Sequence, residues 1–187
     1  MKAKDIFLLV FGILLFIFSY WLDASVNLFF RNIRLPLLEP VFSIITNFGV
    51  VSVVMLAIPS LVLYKNKRKS VYLLCWAFII SVLLAFILKF IILRQRPAEA
   101  LNYHFFNVIN YSFPSTHAMA VFSLLPILIN YLPKQKNFWI AAAFIVSFTR
   151  IYFGFHFLSD VVFGALFGYY IGKYLLGLHK DGKLWFI

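Results

Sequence analysis

The chain has 187 residues, 64% of them hydrophobic and 20% aromatic, with a formal net charge of +11 and a mean hydropathy of +0.95. Soluble domains carry an apolar share nearer about half, so this composition excludes one and points to an integral membrane protein. The positive charge lies in short loops between apolar runs rather than along one face, which argues against a nucleic-acid partner.

The apolar runs are continuous rather than alternating, so helical spans are expected instead of a barrel. Met1-Lys-Ala-Lys-Asp followed by IFLLVFGILLFIFSYWL has the order of a signal sequence. Its apolar part is longer than an h-region and lacks a small-x-small cleavage site, so it reads as an uncleaved first span over about residues 6–22. Residues 24–40 place Val26, Phe29, Phe30 and Ile33 at helical spacing, interrupted by Arg31, Arg34 and two prolines. They read as an amphipathic segment lying in the interface.

A second span covers about 41–64, with a kink expected at Pro59, and a third about 70–93. The polar and aromatic loop RQRPAEALNYHFFNVINYSFPST follows. Spans four to six run over about 117–131, 138–152 and 161–178. The expected fold is an all-α, six-helix membrane bundle forming one domain over 1–187. Cys75, the single cysteine, lies inside an apolar run and reads as a small buried hydrophobe.

Lys2, Lys4, the 65–69 cluster, Lys134, Lys136, Lys180 and Lys183 all fall on one side of such a bundle, which the positive-inside rule makes cytoplasmic. Both termini are then cytoplasmic, and the loop 94–116 and the turn 153–157 share the opposite face. Every arginine but Arg68 lies on or near that second face, against the usual bias. A shared anionic ligand would hold Arg94, Arg96 and Arg150 there.

Three constellations carry chemistry. Lys89 and Arg96, seven residues apart, point the same way if the third helix persists, and Pro97 then ends or redirects it. Snorkelling of Lys89 and headgroup anchoring by Arg94 and Arg96 explain these residues equally well. In Phe113-Pro114-Ser115-Thr116-His117, Ser115 is a good N-cap, the free N–H groups of a helix start bind anions, and His117 could pass a proton to a leaving oxygen. An ordinary capped helix would look the same.

The third is Arg150-Ile-Tyr-Phe-Gly-Phe-His156-Phe-Leu-Ser-Asp160, where charge between two apolar runs is expensive and asks for a function. If 156–160 is helical, His156 and Asp160 lie one turn apart on one face. The carboxylate can then accept a hydrogen bond from one ring nitrogen and leave the other as a nucleophile, with Arg150 as an anion clamp.

In that order, Lys89-x6-Arg96-Pro97, Pro114-Ser115-Thr116-His117 and Arg150-x5-His156-x3-Asp160 resemble the three-part signature of the type 2 phosphatidic acid phosphatase family. The resemblance spans Lys89 to Asp160. It implies that His156 attacks phosphorus to form a phosphohistidine, that Asp160 orients it, and that His117 protonates the leaving group and then activates water. It further implies that Lys89, Arg96, Ser115 and Arg150 hold the phosphoryl oxygens. Thr116 belongs to the same phosphate-binding motif at a place where the family usually has Gly, so its side chain alters how the backbone approaches the phosphate.

No metal or other cofactor is implied. The expected partners are a lipid phosphate substrate and membrane lipids, at the periplasmic face of a bacterial inner membrane. Undecaprenyl diphosphate, phosphatidylglycerophosphate and lipid A 1-phosphate are the candidate substrates. A lipid phosphotransferase using the same site, and a non-enzymatic anionic lipid binder or transporter, are the competing readings. Arg94 reads as a headgroup recruiter or an anchor, and His104 as a loop residue beside the aromatic Tyr103, Phe105 and Phe106.

Overall fold

The computed structural model describes residues 3–97 and 110–184, which leaves Tyr103, His104, Phe105 and Phe106 outside the described residues. All described secondary structure is helical, in six helical units of which the second is broken. Helix α1 (Ala3–Ile33) leads, followed by the broken pass α2 (Glu39–Thr46), α3 (Phe48–Ser52) and α4 (Ile58–Tyr64). Then come α5 (Arg68–Ile92), α6 (Thr116–Tyr131), α7 (Lys136–Tyr152) and α8 (Leu158–Lys180).

Segments Val10–Ile33, Arg68–Ile92 and Leu158–Lys180 are long and apolar enough to cross a membrane, and the bent pair Glu39–Thr46 with Phe48–Tyr64 makes a fourth. This is a multi-pass membrane protein. Phe7, Phe11, Leu14, Phe18 and Trp21 on α1 and Leu83, Ile87, Phe90 and Ile91 on α5 are exposed apolar side chains, as lipid-facing surfaces require.

The segment after the first span differs from the sequence expectation. Rather than ending near Leu22 and giving way to an interfacial stretch, α1 continues to Ile33. Its course holds no proline before Pro36, and Asp23, a carboxylate within it, is satisfied inside the protein by Arg94 and Ser159. Val26 and Phe30 pack against Ala118, Ile151 and Val161 rather than lying in the interface.

The second pass bends by 54° between its two parts. The break falls at Asn47, whose extended backbone interrupts the helix while its side chain accepts from the N–H groups of Gly49 at 2.9 Å and Val50 at 3.2 Å. Pro59 sits just past a single π-helical turn, Val53–Ala57, which absorbs its missing N–H.

Helix α6 is the axis of the bundle. Every residue from Ala118 to Leu128 is buried, so the helix is apolar all round, as a fully enclosed helix must be. Ser123, one of its few polar residues, donates to the Ala120 carbonyl at 2.7 Å, and its oxygen lies 3.2 Å from the Ser81 hydroxyl of α5.

Helix α8 packs most extensively against α6, through glycines four residues apart at 164, 168 and 172. A Cβ on Gly168 would lie 2.2 Å from the Met119 carbonyl oxygen and one on Gly172 only 1.9 Å from that of Ser123. The two backbones are therefore in direct contact. At the end of this seam the Ser115 N–H donates to the Asp160 carbonyl at 3.1 Å, which sets the start of α6 against the start of α8.

Candidate active site

Helices α2, α5, α6 and α7 and the loops after α5 and before α8 deliver the polar groups to one cavity of about 600 Å³, whose lining includes Thr46, Lys89, Arg96, Thr116, His117, Arg150 and His156 together with Phe48, Val82 and Phe86. Lys89 is 2% exposed, and its Nζ donates to the carbonyls of Tyr111 and Ser112. A buried ammonium held this way is not snorkelling to the interface. Helix α5 ends at Ile92, with Leu93 in the left-handed region at φ 52°. Arg96 thus lies beyond the helix rather than two turns along it, yet both cations reach the same cavity.

The backbone holds Arg96 in place, with Nε donating to the Asn110 carbonyl at 3.0 Å and Nη1 to that of Phe155 at 2.7 Å. Arg150, in the last turn of α7, donates from Nη1 to the Thr46 hydroxyl at 2.6 Å and lies 4.5 Å from the centre of the Phe155 ring. Among the described residues, no carboxylate lines the cavity. Three cations that line it without a carboxylate among them form an anion site.

His117 sits in the first turn of α6, behind the N-cap Ser115, whose Oγ accepts from the Ala118 N–H at 3.5 Å. Its Nε2 lies 2.8 Å from the Thr46 carbonyl. A carbonyl can only accept, so Nε2 carries the hydrogen and Nδ1 is the nitrogen left to exchange a proton. Phe48 contacts the ring edge to face at 4.9 Å.

His156 is 3% exposed and precedes α8 by two residues, so the stretch 156–160 is not wholly helical as expected. Phe157 is extended, and its side chain offers no oxygen to cap the helix. Asp160 reaches back instead and accepts the Phe157 N–H on Oδ2 at 2.8 Å. His156 Nδ1 still faces that oxygen at 3.8 Å, longer than a hydrogen bond. Burial first, then Lys89, Arg96 and Arg150, push the His156 imidazole well below its ordinary pKa, against the opposing pull of the Ser112 carbonyl. It is neutral at pH 7.

Asp160 is fully buried, with Oδ2 also accepting from the Ser112 hydroxyl and Oδ1 from Arg94 Nη1 at 2.7 Å. Arg94 is therefore no headgroup recruiter: its other nitrogen donates to Asp23 at 2.7 Å. All eight residues singled out from the sequence, Lys89, Arg96, Ser115, Thr116, His117, Arg150, His156 and Asp160, gather at this one place. Sequence reasoning missed Asp23, Thr46 and Ser112. Asp23 carried a usable signal, a carboxylate flanked by apolar helix, whereas Thr46 and Ser112 are ordinary residues whose roles depend on what the fold brings to them.

The PAP2 superfamily model matches residues 70–182, more than half of the chain. An undecaprenyl-diphosphatase of Sulfolobus acidocaldarius is 29% identical over 130 residues, which are 66% of this chain and 62% of that relative. A lipid A 4'-phosphatase of Bacteroides thetaiotaomicron is 30% identical over 164 residues, 79% of this chain and 72% of the relative. The chain thus spans about three fifths to three quarters of the length of these relatives. Among solved structures, a transmembrane PAP2-type phosphatidylglycerolphosphate phosphatase from Bacillus subtilis superposes with a TM-score of 0.75 at 23% identity, over 96% of this chain and 98% of that one. With the motif residues gathered around one cavity and the family match covering the helices that carry them, the chain belongs to the PAP2 superfamily.

Proposed function

We propose that the protein is a membrane lipid phosphatase that hydrolyses a lipid phosphomonoester or diphosphate through a phosphohistidine. The observation that carries this reading is the convergence of Lys89, Arg96 and Arg150 around a neutral His156 backed by a buried carboxylate. Phosphoryl transfer needs alignment and stabilisation of charge on the equatorial oxygens more than it needs covalent chemistry from the protein. Three fixed cations, with the first turn of α6 behind Ser115, supply that stabilisation.

With Nδ1 turned to Asp160, His156 attacks through Nε2. The N–P bond forms as the bond to the leaving oxygen breaks, and that oxygen takes a proton from Nδ1 of His117, which enters this step as the imidazolium, stabilised by the negative charge of the bound phosphate. In the second step His117 removes a proton from water, the water oxygen attacks phosphorus, and the N–P bond breaks to release inorganic phosphate. Asp160 stabilises the positive charge that builds on the imidazole ring.

The lipid class follows from the cavity and from the relatives. Its floor is cationic and its wall, Phe48, Val82 and Phe86, is apolar, which suits a phosphate joined to a hydrocarbon chain. The relatives act on an undecaprenyl diphosphate and on lipid A. Small size and minimal loops support a bacterial inner-membrane location, and loop charge supports an orientation with the site facing the periplasm and both termini cytoplasmic.

The test is phosphate release by the purified protein in detergent, with EDTA present, from prenyl diphosphate, phosphatidylglycerophosphate, phosphatidic acid and lipid A. The wild type should release phosphate from at least one lipid without an added lipid acceptor, and His156→Ala should release none. Release that requires an acceptor would establish phosphotransfer instead. Release that EDTA abolishes would overturn the metal-independent mechanism, and equal release by His156→Ala would overturn the nucleophile.

A further inference from the structure

Asp23 lies in the middle of α1, outside the segment the family model matches, and is 5% exposed. Three donors converge on it. The Ser159 N–H donates to Oδ1 at 2.8 Å, and Oδ2 accepts from the Ser159 hydroxyl and from Arg94 Nη2, the latter at 2.7 Å. Ser159 is in the first turn of α8, where Phe157 supplies no capping oxygen, so Asp23 caps that helix from 136 residues away in sequence.

One guanidinium therefore joins two buried carboxylates, Asp23 on one nitrogen and Asp160 on the other at 2.7 Å each, and lies 4.1 Å from the centre of the Phe157 ring. The same Arg94 nitrogen that meets Asp160 also donates to the Ser159 hydroxyl at 2.8 Å. Neither Asp23 nor Arg94 lines the phosphate cavity. Their effect on the reaction must pass through Asp160, whose Oδ1 is taken by Arg94 and whose Oδ2 is left to Ser112, the Phe157 N–H and His156.

We propose that Asp23 and Arg94 are positioning residues of the hydrolysis: the pair fixes the rotation of Asp160 so that Oδ2 addresses His156 Nδ1, and makes α1 a working part of the site. The inference rests on the phosphohistidine reading. Its chemistry is that of second-layer partners in general, which act by orienting the groups that touch the reacting atoms. A half-buried guanidinium between two buried carboxylates is also hard to replace, because removing any one of the three leaves an uncompensated charge or like charges facing each other.

The experiment compares Asp23→Asn, Arg94→Gln, Arg94→Lys and the double variant Asp23→Asn/Arg94→Gln in full-length, detergent-solubilised protein, using the lipid that the wild type hydrolyses fastest. Misplacing a reacting group by about 1 Å costs about 100-fold in rate. We expect Asp23→Asn to lower kcat at least about 10-fold and Arg94→Gln about 100-fold. KM and competitive inhibition by inorganic phosphate should stay near wild type, since the cation cradle is intact. The double variant should be no slower than Arg94→Gln alone, and Arg94→Lys should recover part of the loss. Thermal midpoints of the variants are measured alongside.

An unchanged kcat in Asp23→Asn, a parallel loss of inorganic phosphate binding, or multiplying effects in the double variant would each overturn the inference. If Asp23→Asn fails to fold, Arg94→Lys at an unaltered thermal midpoint decides by the same kcat-against-KM comparison. Absence of release by the wild type from every lipid would overturn the phosphatase reading itself, whereas an active wild type with indifferent variants would overturn only the positioning role.

Discussion

His156 shows how a single side chain depends on its surroundings. Nucleophilic attack needs the neutral ring, and burial together with Lys89, Arg96 and Arg150 holds the ring neutral well below its ordinary pKa. Only the unprotonated form attacks, so kcat/KM for the free enzyme should fall as acid protonates His156, with that limb well below about pH 6.5. Replacing Arg96 by Gln removes one cation from the ring. The His156 pKa should rise, and the acid limb of kcat/KM should move to higher pH while the rate at the plateau also drops. A limb that stays in place or moves to lower pH would refute this assignment of the acid limb.

The eight motif residues were legible because their types and spacings are specific. The partners that tune them were not. Thr46 meets Arg150 through its hydroxyl and His117 through its carbonyl only because α2 packs against α7, and nothing in its neighbourhood in sequence announces that role.

At the scale of the element, the contact between α6 and α8 decides whether the motifs meet. Ser115 and Asp160 stand at the head of that seam, and Gly168 and Gly172 let the helices approach until a Cβ would collide with a carbonyl oxygen. Gly168→Ala and Gly172→Ala should each destabilise the protein by about 1–3 kcal/mol, the usual cost of overpacking. Both should lower the thermal midpoint in detergent and, by parting Ser115 from Asp160, the activity. Gly177→Ala is the control, since a Cβ there meets nothing within 4 Å, and it should leave both quantities at or slightly above wild type. Equal midpoints for all three variants would show that the glycine seam does not set the packing.

Periodicity made the helices visible but not their interruptions. The bend at Asn47 depends on side-chain capping that could as well have been a polar residue in a continuous helix, and the continuation of α1 past Asp23 depends on a partner in α5's following loop. Capping preference and hydropathy are local. Both outcomes were set by contacts from elsewhere.

For the whole molecule, the orientation in the membrane is a matter of charge on loops. Leu37, 86% exposed in the turn after α1, lies on the side of the site, and Asn66 lies among the lysines of the opposite side. In a Cys75→Ala background, a membrane-impermeant maleimide should label Leu37→Cys in intact spheroplasts and Asn66→Cys only after lysis. The reverse pattern would place the site in the cytoplasm. The same arrangement explains why arginines gather against the usual bias at one face. Arg94 is consumed by Asp23 and Asp160, while Arg96 and Arg150 line the anion cavity, so binding rather than topology holds them there.

By itself the sequence determined that this is an all-helical membrane protein and which residues would meet at its site, because hydropathy runs and motif spacing are properties of the chain alone. Only the tertiary structure decided how those residues are held: Asp23 from α1, Thr46 from α2 and Ser112 from the loop before α6 each complete a hydrogen-bonding need that local sequence leaves open. Buried polar groups must find partners, and in a bundle those partners come from whichever helix packs alongside.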